Sequence, residues 1–383
     1  MAAIVCATQI GFARAEEKMP DVGEKAAADG ARRPSGLVMM KPEPFPEAKA
    51  IATPKTGVEL AEAIEKLGNE LAAAGRFSGS VLLAVDGKPL LEKAWGLADR
   101  DRKIANKLET SFDIGSLGKL ITQIGIIQLV EAGKLSLDES FGKYLPDYPN
   151  RDVAGKVTLR QLLLHTSGMG DIGDPATREA KASSLRTLKD FVPLFANDAL
   201  AFAPGSQIRY SNAGYVVLGR VIEAVSGQDY YSYIERNILQ PAGMKHSGFF
   251  DRAKLPQTVA RSYDDSADVT DKHPVIGSPA GGLQGSAGDL LRLVQAIDAG
   301  KLIKTDSIKT LRDLIPRPPN APQPADANRF AAYGIAGGAP GVSAQLNIDP
   351  SGRYTRIVLC NGSPPMASSM AATISEWLKQ LPK

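Results

Sequence analysis

The sequence predicts an α+β fold in which one antiparallel sheet is built from both chain ends and flanked by helices, with a mostly helical subdomain inserted between them. Three observations support this prediction. An amphipathic helix and a β-hairpin occur early in the sequence, and a second hairpin followed by a helix occurs late. Between them, residues 116 to about 300 are mostly helical runs separated by Gly- and Pro-rich loops.

The early elements begin with "VELAEAIEKLGNELAAAG", which follows Gly57, repeats apolar residues at helical spacing and stops at Gly75. Two β-prone runs then surround Asp86-Gly87, a dipeptide typical of a tight hairpin turn. Near the end, "VSAQLNID" and "YTRIVLCNG" flank Pro350-Ser351-Gly352 and predict the second hairpin. The amphipathic run "MASSMAATISEWLKQLP" predicts a last helix.

The composition is that of a globular protein with a packed core, since 43% of the 383 residues are hydrophobic and 23% are charged. The net charge is +3 without a block of like charges, so no nucleic acid partner is expected. Three histidines and two cysteines lack metal-ligand spacing, so we expect no metal and no cofactor. No apolar run is long enough for a transmembrane segment. The oligomeric state is left open.

The first 15 residues contain a short apolar stretch that ends in Ala13-Arg14-Ala15, a pattern suited to signal-peptide cleavage, although a positive n-region is missing. Two interpretations remain: a signal peptide of a periplasmic or secreted protein, or the N-terminal tail of a cytoplasmic one. Residues 16–56 are predicted to be linker or disordered, because Lys41 to Ala50 is too rich in proline to continue a helix. Residues 57–383 are predicted to form one domain.

Ser116 and Lys119 stand three residues apart at the head of an apolar, helix-like run. A serine hydroxyl needs a neighbouring group to take its proton, and positions i and i+3 of a helix share one face. The apolar residues that follow predict a buried helix, in which a lysine more readily loses its charge. We therefore predict that Ser116 is a nucleophile and Lys119 its base. A second Ser-x-x-Lys, Ser140 to Lys143, lies in a polar, Pro-bounded loop and is interpreted as surface.

Tyr210 and Asn212 form a second candidate group, just after a Pro-Gly turn and just before an amphipathic helix. A tyrosine near a cationic lysine can ionise more easily and act as a general base and acid. The amide of Asn212 can donate to a substrate carbonyl and orient a lysine. The alternative is that Tyr210 is a half-buried core residue with a satisfied hydroxyl.

Five motifs then occur in order: Ser116-Leu-Gly-Lys119, "LLLHTSGM", "PGSQIRYSNAGYVVLG", "QPAGMKHSGF" and "SPAGGLQGSAGDL". Together they resemble the serine hydrolases related to class C β-lactamases, DD-peptidases and family VIII carboxylesterases, over about residues 57 to 380. The resemblance implies a β-lactamase/transpeptidase-like fold and an acyl-enzyme mechanism. Ser116 would attack a carbonyl, Lys119 with Tyr210 would move its proton, and Asn212 would position the substrate.

One further motif of this family, on a sheet strand, departs from its usual pattern. Relatives carry Lys-Thr-Gly or His-x-Gly on a strand lining the site, whereas "YGIAGGAPG" places Ile335 at the usual Lys or His position. Gly337 and Gly338 still allow the backbone to approach a ligand closely, and the resemblance implies Gly338 N–H as an oxyanion donor beside Ser116 N–H. Because Ile335 cannot hold a substrate carboxylate, neutral esters or amides fit better than penicillins.

The predicted function is therefore that of a serine hydrolase forming an acyl-enzyme, with carboxylesterase-type activity on small esters. One alternative is a β-lactamase or a D-Ala-D-Ala peptidase of the penicillin-binding type, and another is a non-catalytic protein that binds peptidoglycan-like peptides. The expected partner is a small-molecule ester, amide or β-lactam substrate. His165 with Ser167 suggests a Ser-His-Asp site instead, but the chain lacks Gly-x-Ser-x-Gly, and a buried turn is the preferred interpretation.

Overall fold

The structure, a computed structural model, describes residues 42–315 and 321–381. The predicted signal peptide, residues 1–15, and positions 16–41 of the predicted linker lie outside the described residues. The remainder of that linker, residues 42–56, packs against the domain: Phe45 and Ile51 are buried, and Phe45 N–H donates to Thr373 Oγ1 at 2.9 Å. The two apolar side chains and this hydrogen bond thus hold the stretch against the core that contains the last helix.

Strands of the described chain form one large sheet and three small ones. They are β1 (Gly79–Val85), β2 (Lys88–Trp95), β3 (Leu97–Asp99), β4 (Ile104–Ala105), β5 (Phe112–Asp113), β6 (Tyr263–Asp264), β7 (Ala267–Asp268), β8 (Gln284–Gly285), β9 (Tyr333–Ala339), β10 (Val342–Ile348) and β11 (Tyr354–Cys360). The large sheet is antiparallel with the order β2-β1-β11-β10-β9. Strand β11 lies between β1 and β10, so both ends of the domain share this sheet, and the predicted α+β fold is confirmed.

Helices cover both faces of the large sheet. The α-helices of the described chain are α1 (Gly57–Ala73), α2 (Lys119–Glu131), α3 (Arg151–Lys156), α4 (Leu159–Leu163), α5 (Pro175–Lys181), α6 (Leu188–Phe191), α7 (Asn212–Ser226), α8 (Tyr230–Ile234), α9 (Gln240–Ala242), α10 (Ala287–Asp298), α11 (Ser307–Asp313) and α12 (Met366–Leu378). Within the described ranges, no helix combines the length and hydropathy needed to cross a membrane.

Both predicted hairpins are present, and the turn of the first shows why Asp86-Gly87 predicted it. Asp86 and Gly87 both have positive φ, +50° and +74°. A two-residue hairpin turn of this kind needs the left-handed region at both positions, which Asp and Gly tolerate best. The turn residues therefore determine where β1 ends and β2 begins.

The two faces of the sheet belong to two separate cores. Leu82, Leu346 and Ile357 pack with the inserted helices, whereas Val81 and Val358 pack with α1 and α12 on the opposite face. Side chains alternate along a strand, so neighbouring residues of β1 and β11 enter different cores. The inserted helices are thereby held against one face of the sheet.

Candidate active site

Ser116 lies in a 3₁₀ turn, Gly115–Gly118, that leads directly into α2. The turn is anchored by Asp113, whose Oδ1 accepts a hydrogen bond from Gly115 N–H at 2.8 Å. Asp113 also forms a buried ion pair with Arg252. Gly115 has φ +51°, a conformation that favours glycine. Neither Asp113 nor Arg252 was predicted from the sequence, since their pairing joins segments 139 residues apart.

The predicted nucleophile contacts both of its predicted partners. Ser116 Oγ is 2.6 Å from the Tyr210 hydroxyl and 3.2 Å from Lys119 Nζ, and Ser116 is 6% exposed. Tyr210 comes from the loop before α7, so the fold unites positions 94 residues apart. These distances lie within hydrogen-bond reach, which proton transfer from the serine hydroxyl requires.

Lys119 is 2% exposed and has three acceptors around its amine. Besides Ser116 Oγ, Nζ donates to Asn212 Oδ1 at 2.8 Å and to the Ala280 carbonyl at 2.5 Å. Burial lowers the pKa of Lys119 to about 7, while the Asp171 carboxylate acts in the opposite direction. A neutral amine donates two hydrogen bonds, to Asn212 and Ala280, and its lone pair can then face Ser116. Lys119 is thus suited to accept the serine proton near neutral pH.

Asn212 is held by a residue that the sequence analysis missed. Its Nδ2 donates to Asp171 Oδ1 at 2.9 Å, which turns its Oδ1 towards Lys119. Asp171 therefore has two effects: it orients the amide, and its charge raises the pKa of Lys119. The only sequence signal was its position two residues after "LLLHTSGM", and no spacing rule connects it to Asn212.

Tyr210 is expected to be protonated in the resting protein. Burial raises its pKa well above the ordinary value, and this outweighs the hydrogen bond from Ser116, which lowers it. Lys119 Nζ lies 4.7 Å from the ring centroid, yet the expectation that a nearby lysine eases ionisation of this tyrosine is not met. A neutral hydroxyl can still relay a proton between Ser116 and a leaving group, because it both donates and accepts.

His165 supports Tyr210 and does not form the alternative Ser-His site. Its ring stacks on Tyr210 with centroids 4.5 Å apart, and its Nδ1 accepts from Ser211 N–H at 3.2 Å. Burial lowers the pKa of His165 to about 3, so the ring is neutral. Ser167 Oγ accepts from Met169 N–H instead. The interpretation of this segment as a buried turn agrees with these contacts.

Strand β9 packs closely against the turn that carries Ser116. A β-carbon at Gly337 would collide with the Ile114 carbonyl and lie 3.0 Å from Ser116 N, and one at Gly115 would lie 2.9 Å from Gly338 N. Side chains at these glycines would force the strand and the serine turn apart.

The register of the β9–β10 hairpin also orients Gly338 N–H. Ala339 pairs with Val342 across a two-residue loop, and Gly338 pairs with Ser343. In such hairpins the pair flanking the loop is hydrogen-bonded and the next pair is not. Gly338 N–H therefore points to the free edge of the strand, where Ser116 N lies, and the two N–H groups can serve as an oxyanion hole.

Ile335, two residues before Gly337 on the same face of β9, is 3% exposed and belongs to the core with the inserted helices. Arg329, the nearest preceding basic residue, pairs with Asp298 at 3.2 Å. Across the described part of the chain, no three His, Cys, Asp or Glu side chains form a group that could hold a metal ion.

The chain is similar to known proteins in sequence and in fold. The family described as Beta-lactamase matches residues 60–379. PbpX of Bacillus subtilis (strain 168) is 32% identical over 251 residues, 64% of this chain and 61% of PbpX. The chain thus spans about three fifths of this curated relative.

Two solved structures extend the comparison. A penicillin binding protein from Bacillus halodurans has a TM-score of 0.70 and 32% identity, covering 80% of this chain and 99% of that one. EstCE1, described as a hydrolase with promiscuous acyltransferase activity, has a TM-score of 0.65, 23% identity and coverage of 83% and 98%. The EstCE1 comparison shows similarity of fold alone.

Proposed function

Because the chain belongs to the beta-lactamase family, we propose that it is a serine hydrolase that forms an acyl-enzyme on small carboxylic esters. The observation that carries the proposal is the position of Lys119: it is buried, its pKa is lowered to about 7, and its Nζ lies 3.2 Å from Ser116 Oγ. A buried amine that is partly neutral at physiological pH is a suitable base for a serine nucleophile.

In the proposed reaction, Ser116 Oγ bonds to the ester carbonyl carbon as its proton passes to Lys119 Nζ. The carbonyl oxygen becomes an oxyanion held by the N–H groups of Ser116 and Gly338. The bond to the leaving alkoxide then breaks, and the alkoxide takes the proton of the Tyr210 hydroxyl. Lys119 passes the proton that it accepted from Ser116 to Tyr210. Water next adds to the acyl carbonyl carbon and gives a proton to Lys119. The bond between this carbon and Ser116 Oγ then breaks, Oγ takes the proton from Lys119, and the carboxylic acid is released.

The proposed preference for neutral esters rests on β9. Ile335 has no charge, and Arg329, the nearest preceding basic residue, is engaged with Asp298. A charge-assisted contact with a substrate carboxylate, worth about 1.5–3 kcal/mol, cannot come from Ile335. A small ester without a carboxylate does not need this contact.

A second candidate is a penicillin-binding enzyme acting on β-lactams or D-Ala-D-Ala peptides. The observation that favours it is the 32% identity to the structure named as a penicillin binding protein. A non-catalytic binder of peptidoglycan-like peptides is a third possibility. It is disfavoured because the Ser116, Lys119 and Tyr210 contacts are all in place.

Intact mass spectrometry after brief exposure to p-nitrophenyl butyrate, and separately to a chromogenic cephalosporin, tests the proposal. We expect a butyryl adduct or a product burst with the ester only, absent from Ser116→Ala. A stable cephalosporin adduct would favour the penicillin-binding candidate. If wild type and Ser116→Ala behave alike with both reagents, the proposed mechanism is wrong.

We also propose that residues 1–15 direct export, which would place the enzyme outside the cytoplasm. N-terminal sequencing of protein recovered from the periplasm or medium of an expressing bacterium tests this. A new N-terminus near Ala15 is the expected result, and intact Met1 in cytoplasmic protein would contradict it.

A further inference from the structure

A cavity lies on the face of the sheet remote from the inserted helices. It has a volume of about 370 Å³ and lies between α12 and strands β10 and β11. Its walls combine apolar side chains of α12, including Ala371, Ala372 and Leu378, with polar side chains of the two strands. This volume falls at the lower end of small-molecule sites, about 300–1,000 Å³.

The strand side of this cavity contains buried polar groups without partners. Arg356 is 9% exposed and Gln345 is 3% exposed. Neither Arg356 Nε nor Gln345 Oε1 has a hydrogen-bond partner among the described residues. Asn347 pairs with Arg356 across β10 and β11, so its amide lines the same wall. Buried polar groups are rarely left unpaired in native proteins, and a shared cavity suggests that one ligand satisfies several of them.

The charge around the cavity identifies the class of ligand. Burial lowers the pKa of Arg356 only to about 10, so the guanidinium stays cationic at neutral pH. Asp349 also lines the cavity, but its carboxylate accepts from Ser351 Oγ at 2.6 Å and from Tyr354 N–H at 2.9 Å. The Asp349 charge raises the pKa of Arg356, but these two hydrogen bonds of Asp349 are made to other groups, so Arg356 Nε keeps its N–H for an external anion.

From this geometry we propose that the cavity between α12 and strands β10 and β11 binds a small organic carboxylate. Its carboxylate group pairs with Arg356, and its apolar body lies against Ala371, Ala372 and Leu378. The amides of Gln345 and Asn347 complete the polar end. This site is separate from Ser116, because Arg356 and the inserted helices lie on opposite faces of the sheet.

The test uses the full chain and measures the affinity of sodium hexanoate by calorimetry and by thermal shift at constant ionic strength. Hexanamide is the neutral probe of matched shape, and inorganic phosphate is the anion without an apolar body. We expect hexanoate to bind and raise Tm with concentration, and both other probes to bind at least about tenfold more weakly. Ser116→Ala should bind hexanoate as wild type does, which separates this outcome from the fate of the proposed hydrolase activity.

Two variants examine opposite walls of the cavity. Arg356→Met should weaken hexanoate binding about tenfold or more, because it removes the cation. Ala372→Leu should also weaken hexanoate binding, because the larger side chain fills the cavity although Arg356 is retained. A cooperative thermal unfolding transition without added ligand verifies that each variant is folded. The proposal is overturned if hexanoate does not bind, if hexanamide or phosphate binds equally well, or if Arg356→Met leaves hexanoate affinity unchanged.

Discussion

Lys119 and Arg356 are both buried cationic side chains, one on each side of the large sheet, and their surroundings differ in almost every other respect. Lys119 has three acceptors within 3.2 Å, and its pKa is lowered to about 7. Arg356 has an unpartnered Nε and a pKa of about 10. The lysine can respond to burial by losing its proton at physiological pH, whereas the arginine stays charged. Burial therefore favours a base in one place and an anion site in the other.

The largest expected effect on activity comes from replacing the lysine by arginine, with the reverse replacement at Arg356 as the control. Lys119→Arg keeps a positive charge but removes the neutral state, so kcat/KM for p-nitrophenyl butyrate should fall by about 10²–10⁴-fold or more. The matched control, Arg356→Lys, should stay within about twofold of wild type, since it touches no proposed catalytic group. Steady-state kinetics measure both, and an active Lys119→Arg enzyme would contradict the role of Lys119 as base.

The dependence of stability on pH separates the two cations further. Below pH 10.5 an unfolded chain carries a protonated lysine, whereas native Lys119 is neutral above about pH 7. The unfolded state then binds more protons, so native stability rises with pH across this window. The free energy of unfolding of wild type minus that of Lys119→Met should therefore increase by several kcal/mol from pH 7 to pH 10.

Denaturant titrations at a series of pH values measure this difference. For Arg356→Met, the corresponding difference should stay flat from pH 7 to pH 9, because Arg356 keeps its proton there. A flat difference for Lys119→Met as well would show that native Lys119 is charged, and the comparison between the two sites would fail.

Adding a third cation at β9 tests the proposed substrate preference. Ile335→Lys supplies a cation at the position where the family resemblance implies Lys or His, so under the proposed preference cephalosporin acylation should rise about tenfold or more. Because Ile335 is 3% exposed, Tm should fall. Ile335→Met, of similar volume and without charge, is the control. Equal acylation of both variants would remove Ile335 as the source of the preference.

The smallest expected effect concerns Asp171. The carboxylate raises the pKa of Lys119, so Asp171→Asn should lower it while an acceptor for the Asn212 amide remains. The proposed mechanism requires neutral Lys119, so the acidic limb of the kcat/KM profile, expected near pH 7, should move to lower pH by less than about one unit. The same profile for Arg356→Met should not move. A shift to higher pH would contradict the assigned sign.

Much of the fold was predictable because its signals are local. Asp86-Gly87 indicates a hairpin by backbone preference, and the match to residues 60–379 confirms the family inferred from five motifs. Ser116 and Asn212 were identifiable because each lies at a helix start within such a motif. The packing of Phe45 on α12 was not predicted, since it depends on a partner 328 residues away.

The parts of the site that sequence reasoning missed depend on tertiary contacts. Asp171 acts through Asn212, and the acceptor at Ala280 is a backbone carbonyl that carries no side-chain signal. Tyr210 shows the same limitation for electrostatics, because its pKa is set by how deeply the fold encloses it. For Arg356 a signal existed: alternation along β11 places it on the same face as Val358, an unusual position for a charge.

The order of strands in the large sheet has a consequence for protein synthesis. Ser116, Lys119 and Tyr210 leave the ribosome before β9, and β9 is held in the sheet through β10 and then β11. Until β11 has been translated and has paired with β1, nothing in the sheet fixes Gly338 against the turn that carries Ser116. A nascent chain therefore has the proposed nucleophile and base but no complete oxyanion hole.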